Sequence, residues 1–217
     1  MTKHTDIYNV TDIKDTKGFW RKSYRPEPFV QCHTRAGKVW DGLQYRCKKG
    51  GIYGTGTYAG CSVNFQSFHE FADWCQGEFG YRNKNTNNTF WPIDKDLIKP
   101  KSLYYGPDNC MFVPQKVNSC FTLRQNNRGL YPIGVIFHKR DLIFEATCND
   151  GTGKGIYLGR FDDPMLAHMA WVGKKIDVMQ AFTRDVELLG HDKLVKALES
   201  KIERYSNCIR LGIQVKY

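Results

Sequence analysis

Eight cysteines are scattered through this 217-residue chain, at Cys32, Cys47, Cys61, Cys75, Cys110, Cys120, Cys148 and Cys208, and no two of them form a C-x-x-C pair. The ligand spacing of a zinc ribbon or zinc finger is therefore missing. Also missing is any apolar run near the roughly 18 residues of a membrane helix. The opening MTKHTDIYNVTDIKD lacks the apolar segment of a secretory signal. A soluble, intracellular protein is expected, in which a disulfide framework is disfavoured and the cysteines serve as small buried hydrophobes. The glycine-dense GGIYGTGTYAG has no Gly-Lys-Ser/Thr ending, so it reads as a flexible connection and not as a phosphate-cradling loop.

What is present suits a folded chain: 41% hydrophobic, 14% aromatic and 25% charged residues. The net charge of +10 and the pI near 9.2 make a polyanion a plausible partner.

Residues 1–37 are polar and basic, interrupted by Pro26 and Pro28, and read as an arm whose Arg21, Lys22, Arg25 and Arg35 are candidates for phosphate contact. A first folded unit is expected over 38–123. It opens with a helix over Val39–Lys48. A second helix follows with Asn64 as its N-cap and Phe65, Phe68, Phe71, Ala72 and Cys75 as its apolar stripe, His69 lying beside that stripe. After the polar 81–88 come TFWPIDKDLI, then CMFV, then PQKVNSCF with Pro114 in the first turn of a helix: strand, loop, strand, helix. Residues 124–132 read as a basic linker. A second unit, 133–184, has strands at Ile133–His138, Leu142–Cys148 and Gly155–Phe161 and then a helix capped by Asp163 with Pro164 at its first position. An amphipathic helix and tail fill 185–217. The fold class expected is α+β.

The strand–loop–strand–helix unit carries chemistry. Asp94, Lys95 and Asp96 close its first strand, and Asn118 sits on its helix. A carboxylate and an amide oxygen brought together by such a hairpin are hard donors for one divalent cation, with water and phosphate completing the shell. On a continuing strand Asp94 and Asp96 share a face and Lys95 points away.

IDKDLIKPKSLYYGPDNCMFVPQKVN resembles the HNH, or ββα-metal, nuclease family, and phage-encoded homing endonucleases in particular, whose upstream helices are echoed around Trp40 and Phe65–Cys75. The resemblance implies metal ligation by Asp94 and Asn118, with Mg²⁺ or Mn²⁺ as cofactor, and a loop-bracing Asn109. Where that family carries a general-base histidine, this chain has Lys95. A lysine with an ordinary pKa near 10.4 holds its proton at neutral pH. It is then left to stabilise phosphate charge, with Asp96 as the alternative activator of water.

The words PIGVIFHK, IFEATC and IYLGRFDDPMLAHMAW resemble the Apetala-type, ethylene-response DNA-binding domain. This resemblance implies a three-stranded sheet that enters the major groove, with His138, Lys139, Arg140, Glu145, Thr147, Lys154, Tyr157 and Arg160 as DNA contacts. Linker residues Arg124 and Arg128 join them as candidate phosphate contacts. The first strand lacks that family's dense arginines.

Taken together, the two resemblances imply a site-directed, metal-dependent endonuclease of phage or mobile-element type. Its partner would be double-stranded DNA, with neither a membrane nor a small-molecule substrate. A monomer working in a bacterial cytoplasm and nicking one strand is expected. The alternative that Lys95 motivates is a catalytically silent, sequence-specific DNA binder. A module that blocks a host protein is a remoter possibility.

Overall fold

The computed structural model describes residues 34–47, 58, 60–121 and 130–215. Most of the basic arm, the bulk of the glycine-dense connection, Arg124 and Arg128 lie outside the described residues. The elements are α1 (Arg35–Cys47), β1 (Ser62–Val63), α2 (Phe68–Gly77), β2 (Ile93–Asp94), β3 (Tyr104–Tyr105), β4 (Met111–Phe112), α3 (Gln115–Phe121), β5 (Val135–His138), β6 (Ile143–Asn149), β7 (Gly155–Phe161), α4 (Pro164–Glu187) and α5 (Asp192–Leu211). The class is mixed helix and sheet.

Around the first core, α1 and α2 pack through Leu43, Phe68, Phe71 and Cys75. Trp40 reaches across to the Phe71 ring at 5.3 Å. The cap of α2 is Ser67 and not the expected Asn64: the Ser67 hydroxyl accepts from the Glu70 amide, and the Glu70 carboxylate reaches back to the Gln66 amide. A Ser-x-x-Glu box offers this reciprocal pair, which Asn64 lacks. The Asn64 amide instead bonds to Tyr105 O at 2.7 Å, extending the parallel β1–β3 pair.

Arg35, read from sequence as a phosphate contact, is a core residue. It is 7% exposed, donates to Trp91 O at 2.9 Å, and lies 4.4 and 4.2 Å from the Tyr81 and Phe90 ring centroids. Aromatic faces and a carbonyl replace the water its charge gives up.

The β2–β4 pair is antiparallel, with Ile93 opposite Phe112 and Asp94 opposite Met111. Along Met111-Phe112-Val113 the side chains alternate between two cores. Phe112 joins the N-terminal cluster, while Met111 and Val113 join the C-terminal one. All three are fully buried, as a segment covered on both faces requires.

The second core unites α3, the β5–β6–β7 sheet, α4 and α5: Val117, Cys148, Trp171, Met179, Leu194, Leu198 and Tyr205 belong to one cluster. Asp163 caps α4, its Oδ1 accepting from the Met165 and Leu166 amides at 2.7 and 2.9 Å. The C-terminal α5 packs along α4 with Leu194, Ala197, Leu198, Lys201, Tyr205 and Cys208 inward. Six of the seven described cysteines are buried, all are free thiols, and only Cys47 is partly exposed.

Candidate nucleic-acid interface

The corner that carries Asp94, Lys95 and Asp96 starts at the end of the β2 strand. There the chain turns at once through 95–98. Asp94 Oδ1 caps that turn, accepting from the Asp96 amide at 2.9 Å and the Leu97 amide at 2.7 Å. Burial pushes the Asp94 carboxyl up from its ordinary value, and the nearby Asp96 charge adds to this. The two amides and the Lys201 ammonium oppose the shift.

Because the strand stops, the expected alternation does not apply. Lys95 does not point away from the acids. Its Nζ lies 2.8 Å from both Asp96 oxygens, it is 7% exposed, and it sits 5.8 Å from the Tyr105 ring centroid. A bidentate ion pair thus occupies the carboxylate read as the water activator.

Lys201 adds a second ammonium to this corner. It projects from α5, is 6% exposed, and lies 5.3 Å from the Phe121 ring centroid. Burial lowers its pKa to about 8; the Arg204 charge pushes the same way, and Asp94 and Asp96 pull it back up. Asn118 is half-buried on α3 beside the core residue Val117.

Asn109 is buried and braces the intervening loop. Its Oδ1 accepts from the Gly106 amide at 2.9 Å, and its Nδ2 donates to Tyr104 O at 2.8 Å and to Ser102 Oγ. A single amide thereby closes both ends of residues 102–109.

The three-stranded sheet is the second site. Strands β5 and β6 pair Ile136 with Glu145 and His138 with Ile143; β6 and β7 pair Glu145 with Arg160 and Thr147 with Tyr157. Ala146 and Cys148 are buried on the face that α4 covers. Alternation therefore puts Ile136, His138, Glu145 and Thr147 on the opposite face.

Tyr157 and Arg160 reach that face through a bulge. Between Ala146 and Thr147 the register shifts, so β7 spends an extra residue there. Gly159, at φ +122°, supplies the backbone this needs. Tyr157 is 60% exposed and the Arg160 side chain 51%.

Glu145 is the hub of this face. Its Oε2 lies 3.2 Å from His138 Nε2, within ion-pair reach of a protonated ring though poorly aligned for a hydrogen bond, and 4.0 Å from Arg160 Nε. Arg160 Nη1 also approaches Asp141 Oδ2 at 3.9 Å. The turns at either end of the sheet carry Lys139 and Arg140, both exposed, and Lys154, also exposed.

Two buried lysines and one exposed isoleucine escape the sequence reading. Lys175 donates to Cys120 O at 2.8 Å and to Asn149 O at 2.6 Å, joining α4 to the end of α3 and the end of β6. Both lysines stand at core spacing on their helices, after Trp171 and Val172 and after Ala197 and Leu198, and that spacing is a usable signal. Ile136 is hidden by the opposite fault, an apolar residue on the solvent side of a strand.

Among the described residues no three His, Cys, Asp or Glu side chains gather as a metal-holding group, and no helix is long and apolar enough to cross a membrane. Comparison with protein-family models, curated proteins and solved structures gave no match.

Proposed function

We propose that the protein binds double-stranded DNA through the free face of the β5–β6–β7 sheet, and that the ββα unit supports this binding without a resident metal. The observation that carries the proposal is the register. It collects His138, Glu145, Thr147, Tyr157 and Arg160 on one face that no described helix covers, with Lys139, Arg140 and Lys154 at its ends. Donors and acceptors on a sheet face suit base edges in the major groove, and cations in flanking turns suit phosphates. The sheet is also narrow enough. Three strands at about 4.8 Å spacing span roughly 10 Å, against a groove about 12 Å wide.

The charges of the acidic corner are already compensated from within the chain, which supports the metal-free reading. One Asp94 oxygen is held by two amides, both Asp96 oxygens are held by Lys95, and Lys201 already brings positive charge to the pair. A cation entering there has to displace or repel two ammonium groups. Lys95 and Lys201 give the acids the compensation that a metal gives in an active ββα site.

A second reading draws on the paired β2–β4 strands leading into α3 and on the loop held by Asn109. In it Asp94 and Asn118 hold Mg²⁺ or Mn²⁺ and the protein nicks DNA. One experiment separates the two: supercoiled plasmid bearing a selected site, with Mg²⁺, Mn²⁺ or EDTA, and Asp94→Ala as control. The metal-free reading expects binding in EDTA and intact plasmid throughout. Nicking that requires metal and disappears in Asp94→Ala establishes the nuclease.

A further inference from the structure

The base-reading face has an apolar member that no charge-based reading supplies. Ile136 lies at the centre of β5, is 49% exposed, and stands directly opposite Glu145, which in turn stands opposite Arg160. One cross-strand row therefore presents a methyl-bearing side chain, a carboxylate and a guanidinium in that order. Ile136 keeps about half its surface open on this face, while its neighbours Val135 and Phe137 are turned towards the helix side of the sheet.

We infer that Ile136 is a specificity-determining residue that reads a thymine 5-methyl group in the major groove, within a row whose Glu145 and Arg160 address neighbouring base pairs. The inference rests on the DNA-binding reading of this face. The chemistry follows from what each base displays. Thymine alone presents a methyl there, cytosine presents an amino donor that suits a carboxylate, and guanine presents two acceptors that suit a guanidinium.

Glu145 also limits what the face accepts. It is the less exposed member of the row, at 20% for its side chain, and is held between His138 and Arg160. A carboxylate fixed at that point repels phosphate and disfavours acceptor-only base edges. Ile136, beside it, has no polar group with which to compensate a misplaced cytosine. The apolar contact therefore discriminates by the presence of a methyl and by the cost of leaving a polar edge dry.

The test begins with duplexes selected by the wild-type protein from a random pool. Each thymine of the preferred duplex is then replaced by deoxyuridine, which removes only the methyl, and affinities are measured for wild type, Ile136→Val and Ile136→Ser. Thermal melting of each variant confirms that it is folded. Wild type is expected to bind about four-fold more weakly when one particular thymine is replaced, the effect of one methyl-sized group. Ile136→Val should keep most of that discrimination, and folded Ile136→Ser should bind thymine and uracil duplexes alike. Equal affinity of wild type for thymine and uracil at every position overturns the inference while leaving DNA binding intact. A pool from which nothing is selected removes the DNA-binding reading itself, a distinguishable failure.

Discussion

Tyr157 and Arg160 stand three residues apart on β7 yet present their side chains on the same face of the sheet. In an unbroken strand that separation puts them on opposite faces. The bulge opposite Ala146 and Thr147 absorbs one residue and brings Tyr157 opposite Thr147 while Arg160 stays opposite Glu145. The proposed DNA-reading face depends on that one-residue insertion.

Gly159 carries the bulge at a φ of +122°, a region in which a β-branched residue is strained. Gly159→Val is expected to destabilise the fold by about 1 to 3 kcal/mol and to weaken DNA binding more than Arg160→Ala alone, because Tyr157 and Arg160 leave their common face together. Urea unfolding and a binding titration on the same preparation check both effects.

Charged positions at the ends and at the centre of the sheet should behave differently. Lys139→Ala and Lys154→Ala are expected to weaken binding to all duplexes alike and to lower the salt dependence by about 0.9 in log–log slope for each phosphate no longer neutralised. Arg160→Ala should cost about 1 to 3 kcal/mol on the preferred duplex and much less on random DNA. Affinities at several salt concentrations separate the two behaviours.

Gly151 ties the β6–β7 turn to α3. At φ +92° its Cβ position lies 2.0 Å from Lys116 O, so any side chain drives the turn away from the helix. Gly151→Ala is expected to cost about 2 to 4 kcal/mol, the scale of backbone strain combined with a core clash. Lys175→Ala, which takes the ammonium away from Cys120 O and Asn149 O at the same junction, should cost about 1 to 3 kcal/mol. Denaturant midpoints measure both.

Two buried histidines make stability depend on pH. The His168 Nε2 accepts from the Val215 amide at 3.0 Å, so its proton is on Nδ1, which donates to Ile133 O at 2.8 Å. The His191 Nε2 donates to Phe112 O at 3.0 Å. Burial lowers both pKa values below the ordinary 6.5. As pH falls through 6.5 the unfolded chain takes up protons that the folded chain refuses, so stability is full above that value and is lost below it. Stability is therefore expected to decrease between about pH 7.5 and 5, which denaturant midpoints at several pH values measure. His168→Gln, which keeps polar contact without titrating, should flatten the slope.

Local chemistry made much of this fold legible. Asp163-Pro164 announces α4 by capping chemistry, and the alternation of β5 and β6 follows from one covered face. The residues that misled are those whose environment is tertiary. Arg35 is charged yet enclosed by rings from 81, 90 and 112, more than forty positions away. Asp94 and Asp96 read as a strand pair because nothing local announces that β2 stops after two residues. Lys201 reaches the acidic corner from the last helix, and no sequence spacing near Asp94 foretells it.

In the proposed function the sheet face binds DNA and no metal takes part. Fluorescence anisotropy of a selected, labelled duplex in EDTA, with wild type and Arg160→Ala side by side, tests it most directly. The expected result is salt-sensitive binding by wild type that added Mg²⁺ does not strengthen, and binding weaker by about ten-fold or more in Arg160→Ala, the size of one bidentate base contact. Binding that needs Mg²⁺, or an Arg160→Ala affinity equal to wild type, contradicts it.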